Sequence, residues 1–199
     1  DGDCQTLHGI RLAGFGEHLA RNAAAAAAVG VALGLRDSEV TDGLAAFEVV
    51  AGRGRVMSLP DGGQLIDDSY NANPDSVRAA MLALSATAGP VAMALGDMGE
   101  VGEQGPAFHD EVLRYAAELG LNQLFLLGDA MRSAGQRAGI PLCEDGFEAW
   151  SASIQDWLRT EQSKGHRPTL WLKGSRFMRM ERLIEPLTTK DACDAALSH

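Results

Sequence analysis

The chain has 199 residues, 46% of them apolar, and a formal net charge of −10. That supports one domain with a sizeable core, or one domain plus part of another. Its acidity argues against a nucleic-acid partner, because duplex affinity rests on neutralising phosphates with Lys and Arg. No run of about 18 apolar residues is present to span a membrane. The opening "DGDCQTLHGIRL" has neither the basic region nor the apolar run of a signal peptide. It starts without Met and in mid-pattern, so a fragment of a longer protein is expected. Cys4, Cys143 and Cys193 are odd in number and far apart. No disulfide framework or metal spacing is expected of them, and a reducing cytoplasm fits best.

In chain order, "GEHLARNAAAAAAVGVALGL" predicts a helix from about Glu17 to Leu33, since Ala is the best helix former and Gly34 suits the stop. A second helix is expected over "DSEVTDGLAAFEVV", capped by Asp37 or Ser38, with Val40, Leu44 and Phe47 at helical spacing. "RVMSL" and "QLID", separated by "PDGG", predict a β-hairpin. Strands and helices then alternate. "QLIDD" leads to the helix "NPDSVRAAMLALSA" with Pro74 in its first turn, and "VAMALGDM" leads to the helix "FHDEVLRYAAELG". "QLFLLG" precedes the helices "AMRSAGQRAG" and "FEAWSASIQDWLRTEQ"; the strand "TLWLKGS" and the helix "FMRMERLIEPL" come last. Strands apolar throughout and separated by helices describe an α/β fold, a Rossmann-like doubly wound, mostly parallel sheet covered on both faces. A boundary falls near Ala51, all-helical before it and doubly wound after it.

In such a sheet ligands bind beyond the carboxyl ends of the strands. Four polar loops are predicted there: "DDSYNANPDS", "GDMGEVGEQG", "GDAMRS" and "KGSRFMRM". Three lead into helix N-termini, whose free amides favour anions. The first offers Asp67, Asp68, Ser69, Tyr70, Asn71, Asn73 and Asp75 in nine positions, more hydrogen-bonding capacity than chain reversal requires. Acids on one side, with Lys173, Ser175 and Arg176 on the other, suit a zwitterion such as an amino acid or short peptide. Plainer readings stand beside this one. Asp68 suits an Asx turn, Asn71, Asn73 and Asp75 a turn and cap, Ser175 an N-cap, and His18 and His109 packed or surface positions. No G-x-x-x-x-G-K-[ST], G-x-S-x-G or H-E-x-x-H occurs, and "GFGEHL" misses the last glycine of G-x-G-x-x-G.

"GEHLARNAAAAAAVGVALG", "GR", "IDDSYNANPDSVRAA", "LGDMGEVGE…H" and "LWLKGSRFMRME" occur in that order. The set resembles the C-terminal half of the Mur ligase family, in the branch that adds D-alanyl-D-alanine to UDP-N-acetylmuramoyl-tripeptide. The resemblance implies that residues 1–50 are the end of a central ATP-binding domain and residues 51–199 the ligase C-terminal domain. The UDP-substrate domain, the rest of the central domain with its P-loop, and the Mg2+ ligands would lie outside this chain. It implies ATP-driven amide formation in peptidoglycan precursor synthesis. Asn22 would meet adenine beside His18, Arg53 rather than Arg55 would face the nucleotide, and Asp68 would hold the ribose hydroxyls. Tyr70, Asn71 and Asn73 would line the junction between phosphates and incoming amine. Asp97, Met98, Lys173, Ser175 and Arg176 would shape the dipeptide pocket. Leu19 stands where relatives often carry Asn. A standalone Rossmann-like nucleotide or amino-acid binding module, and a related Mur or folylpolyglutamate-type ligase with another amino-acid substrate, remain open alternatives.

Overall fold

The computed structural model describes residues 10, 12 and 17–189. The Ala-rich run forms helix α1, Glu17–Ala32. It ends where Gly34 takes φ +82°, a conformation open to glycine, and the Leu35 amide closes back on the Gly30 carbonyl at 3.1 Å. Helix α2, Asp37–Ala45, packs on α1 through Val40, which lies against Gly30; a Cβ on that glycine would come within 3.1 Å of it. Neither Asp37 nor Ser38 caps α2. Arg36 holds the cap position, and Glu39 accepts its amide at 2.8 Å and its guanidinium at 3.0 Å. A glutamate at the third helical position can satisfy the cap amide unaided. The helix stops at Ala45, short of the expected Val50.

A five-stranded sheet follows, in the order β1-β2-β5-β3-β4. Its strands are β1 (Arg55–Ser58), β2 (Gln64–Asp68), β3 (Val91–Gly96), β4 (Leu124–Leu127) and β5 (Thr169–Lys173). β1 and β2 form the expected antiparallel hairpin, pairing Arg55 with Asp67 and Ser58 with Gln64. Its turn needs glycine: Gly63 has φ +95°, and a Cβ there would sit 2.3 Å from the Pro168 carbonyl oxygen. The pairings β2–β5, β5–β3 and β3–β4 are parallel. The last strand of the chain is thus inserted between β2 and β3, which brings the carboxyl ends of all three to one rim.

Alternate strand residues point to opposite faces. Ile66, Met93, Leu95, Leu126 and Trp171 pack under α3 (Pro74–Ser85), α4 (Gly105–Glu118) and α5 (Asp129–Arg137). Leu65, Ala94, Phe125, Leu170 and Leu172 pack against α6 (Phe147–Ser163) and α7 (Ile184–Thr188). The fold is therefore the doubly wound α/β sheet the apolar runs predict. One element differs. "FMRMERLIEPL" is not a single helix but two 3-10 turns, Arg176–Met178 and Met180–Leu183, hinged at Arg179 with φ +51°, followed by α7. The hinge sinks Met180 onto Gly96 and Gly174, where Cβ atoms would lie 2.9 Å and 2.7 Å from its side chain. No described helix is long and apolar enough to cross a membrane. Among the described cysteines, Cys143 is a free thiol; Cys4 and Cys193 lie outside the described residues.

Candidate functional site

Two adjacent acids end β2, and strand alternation sends them to opposite faces. Asp68 sits in register with Lys173 at the end of β5. The Lys173 ammonium donates to Asp68 Oδ2 at 2.7 Å and to the Asn71 carbonyl at 2.9 Å, and the Trp171 indole N–H reaches the same carboxylate at 3.4 Å. Lys173 is only 2% exposed, so its charge is balanced within the protein. Asp67, equally buried, accepts from the Gly52 amide at 2.8 Å, the Ser69 hydroxyl at 2.6 Å and the Ser69 amide at 3.3 Å. The Gly52 carbonyl in turn accepts the Tyr70 amide at 2.9 Å, and the Gly54 amide donates to the Asp67 carbonyl at 2.8 Å. The glycine turn is thereby fastened to β2, and Arg53 on it lies over the Tyr70 ring, 4.2 Å from the centroid.

These groups border a cleft of about 400 Å³ that Asn22 of α1, Phe47 and Val50 complete. Arg53, Tyr70, Asp68, Lys173, Asn71 and Asn73 all line it; Arg55, on β1, does not. The Arg53 guanidinium, the carboxylate–ammonium pair of Asp68 and Lys173, an aromatic face and an amide suit an anionic ligand carrying a ring and hydroxyls. His18 falls in α1, but its side chain lies outside the described residues.

A second cleft, of about 510 Å³, opens on the other side of Asn71 and Asn73, which line both. Its walls are residues 71–75 with Arg78, and residues 99–101 with Phe108. Asn73 also caps α3, accepting the Ser76 amide at 2.8 Å, so the plain reading of that side-chain oxygen holds. Asn71 Oδ1 accepts the Ala72 amide at 2.8 Å. Arg78 is paired with Asp75 and Glu111.

The five residues expected to form one dipeptide pocket lie near one another but do not line a single cleft. Asp97 turns beneath the rim and caps α5, accepting the Met131 amide at 2.7 Å and the Ala130 amide at 3.3 Å. Met98 is buried, and its amide donates to His109 Nε2 at 3.0 Å, while His109 Nδ1–H donates to the Gly105 carbonyl at 2.7 Å. Ser175 is buried between three loops. Lys173 faces the first cleft, and Arg176 is exposed and pairs with Glu181 at 3.1 Å. The acid and the base of the rim are not held apart: Asp68 and Lys173 pair with each other at 2.7 Å. Asp97→Ala is expected to cost about 1–2 kcal/mol, the loss of a helix cap, read as a lower urea midpoint of the 199-residue chain.

Sequence reasoning counted Asp67 in the polar loop without assigning its framework role, read His109 only as packed or surface, and passed over Arg78. For Asp67 a signal was present: in a strand of period two, one of two consecutive acids must face away from the other. For His109 there was none, since its partners Met98 and Gly105 are brought to it by the loop before α4. Among the described residues no group of three His, Cys, Asp or Glu side chains is placed to hold a metal ion.

A family model described as "Mur ligase, glutamate ligase domain" matches residues 52–162. The UDP-N-acetylmuramoyl-tripeptide–D-alanyl-D-alanine ligase of Escherichia coli (strain K12) is 30% identical over 178 residues, which are 89% of this chain and 38% of that protein. A crystal structure of MurF from Acinetobacter baumannii superposes with a TM-score of 0.77 at 32% identity, covering 90% of this chain and 39% of that one. MurF ligase from Thermotoga maritima in complex with ADP superposes with a TM-score of 0.74 at 25% identity, covering 94% and 41%. The chain spans about two-fifths of the length of these relatives.

Proposed function

Because this chain belongs to the Mur ligase family, we propose that it is the C-terminal portion of an ATP-dependent ligase joining D-alanyl-D-alanine to UDP-N-acetylmuramoyl-tripeptide. The name of the Escherichia coli relative, 30% identical, supplies the substrate class. The observation that carries the site is the first cleft, where Asp68, Lys173, Tyr70 and Arg53 converge beside Asn22. In this reading residues 1–50 end the central ATP-binding domain and residues 51–199 form the C-terminal domain.

The first cleft takes the nucleotide. Asn22, with His18 near it on α1, meets the adenine edge, Asp68 accepts the ribose hydroxyls, and Arg53 offers its guanidinium to phosphate. Tyr70 and Asn71 border the same space. A Mg2+ ion with the phosphates would neutralise their charge, and its ligands would come from outside the described residues. The second cleft takes the incoming dipeptide, with Asn71 and Asn73 as the partition across which amine and phosphate meet. Asp97, Met98 and Ser175 serve that cleft by holding its loops, and Lys173 serves the partition through the Asn71 carbonyl. Arg176 stands at the rim.

The reaction proposed for the intact ligase is the one the family membership suggests. The terminal phosphoryl group of ATP passes to the tripeptide carboxylate, the dipeptide amine attacks the resulting acyl phosphate, and the tetrahedral adduct expels phosphate. The chain's own contribution is positioning and charge balance. The reaction belongs in the cytoplasm, where ATP is available.

The test uses the intact ligase that carries this chain. It is given ATP, UDP-muramoyl-tripeptide and either D-alanyl-D-alanine or single amino acids, and phosphate release is followed. Release that requires the dipeptide is expected. Turnover with a single amino acid and not with the dipeptide would replace the substrate assignment.

A further inference from the structure

Ser175 lines neither cleft, yet two residues that line the second cleft are both bonded to its hydroxyl. The oxygen accepts the Gly99 amide at 2.6 Å, and the hydroxyl proton goes to the Ala72 carbonyl at 3.3 Å. A serine hydroxyl has one proton to give and lone pairs to spare, so both bonds are made at once. The Ser175 amide adds a third tie, to the Asp97 carbonyl at 3.1 Å. Ala72 belongs to the loop after β2 and Gly99 to the loop after β3, strands that are not neighbours because β5 lies between them. A direct bridge between those loops comes most simply from β5, and Ser175 stands two residues past its end.

We propose that Ser175 is a positioning residue that sets the separation of the two walls of the second cleft, and through it the affinity for the incoming dipeptide. The inference rests on the dipeptide reading of that cleft. The local packing fits this role. A Cβ on Gly99 would lie 2.8 Å from the Phe177 ring and 3.4 Å from Ser175 Oγ, so the loop backbone sits directly against the hydroxyl. The next residue, Glu100, takes φ +57° without being glycine, a conformation that persists only where neighbours hold it. His109 holds the adjacent Met98 amide from beneath. Loss of the Ser175 hydroxyl therefore frees one side of the loop while the other stays tied, which alters the cleft without unfolding the domain.

Two measurements decide it. In the 199-residue chain, Ser175→Ala is expected to speed amide exchange at Gly99 by about tenfold, the loss of one buried hydrogen bond, while strand amides such as that of Leu95 keep their rates. In the intact ligase the same variant is expected to raise the KM for D-alanyl-D-alanine by about tenfold and to leave the KM for ATP within about twofold. Ser175→Thr, which keeps the hydroxyl, is expected to restore both readouts. A Gly99 exchange rate unchanged in Ser175→Ala overturns the proposal, as does an equal rise in the two KM values. An intact ligase that ignores the dipeptide refutes the functional reading instead, and then the exchange rate alone decides whether Ser175 ties the loops.

Discussion

Lys173→Ala is expected to lower the unfolding free energy of the chain by about 3 kcal/mol, the cost of leaving the partner of a buried ion pair uncompensated. Among the described residues Asp68 would retain the Trp171 N–H at 3.4 Å as its side-chain donor, and the Asn71 carbonyl would lose a donor now at 2.9 Å. The cost is large because the side chains are 2% and 16% exposed, which leaves little water to replace the ammonium. Arg176→Ala provides the contrast. Its ion pair with Glu181 is 66% and 36% exposed and is expected to matter by no more than about 0.5 kcal/mol. Urea unfolding of the two variants separates them, and the double variant with Asp68→Asn should recover part of the Lys173 loss, since it removes the stranded charge. In the intact ligase, Lys173→Ala should impair ATP more than dipeptide, the reverse of what "KGSR" suggests when read as a carboxylate grip. Equal stability losses for Lys173→Ala and Arg176→Ala would show that the pair at the rim is not a buried one.

Asp67→Ala is expected to cost a similar amount, about 3 kcal/mol, because hydrogen bonds to a charged acceptor contribute about 1.5–3 kcal/mol each and the stranded donors are buried. The carboxylate gathers the Gly52 amide, the Ser69 amide and the Ser69 hydroxyl into one knot. Its removal also releases the turn that places Arg53 over Tyr70. Two readouts should move together: the urea midpoint, and the ring-current shift of the Arg53 side-chain protons in NMR spectra. Asp67→Asn keeps the shape and one acceptor, so its loss should be smaller. If Asp67→Ala leaves the Arg53 shifts in place, the turn is held by something other than this carboxylate.

The motifs lie together at one rim, and within it the side chains are engaged in different ways. "DDSYNANP" and "KGSR" do lie side by side, and Arg53 rather than Arg55 borders the cleft. Yet the polar residues divide into those facing the clefts and those that hold the loops, and residue type does not distinguish the two. Asp97 and Asp68 look alike in sequence as acids at strand ends. Asp97 caps α5 because Gly128 comes so close that a Cβ there would be 2.4 Å from its carboxyl carbon. Asp68 meets a lysine because β5 lies beside β2. The broken terminal helix escaped prediction for a related reason: "FMRMERLIEPL" has helical composition, but Met180 is drawn down between Gly96 and Gly174.

By itself the sequence determined the order of elements, the hairpin at "PDGG", the two-faced burial of the sheet and the end of the strands at which polar loops gather. Those features follow from backbone preference and apolar periodicity, which act over a few residues at a time. Only the tertiary structure decided that Lys173 neutralises Asp68, that Asp67 fastens the Arg53 turn, and that Ser175 ties two loops instead of lining a pocket. Asp68 and Lys173 are separated by 105 residues, and Ser175 lies 76 from Gly99 and 103 from Ala72. Such partners are selected by strand order and register, and the energy of a buried polar group depends on the neighbours that register delivers.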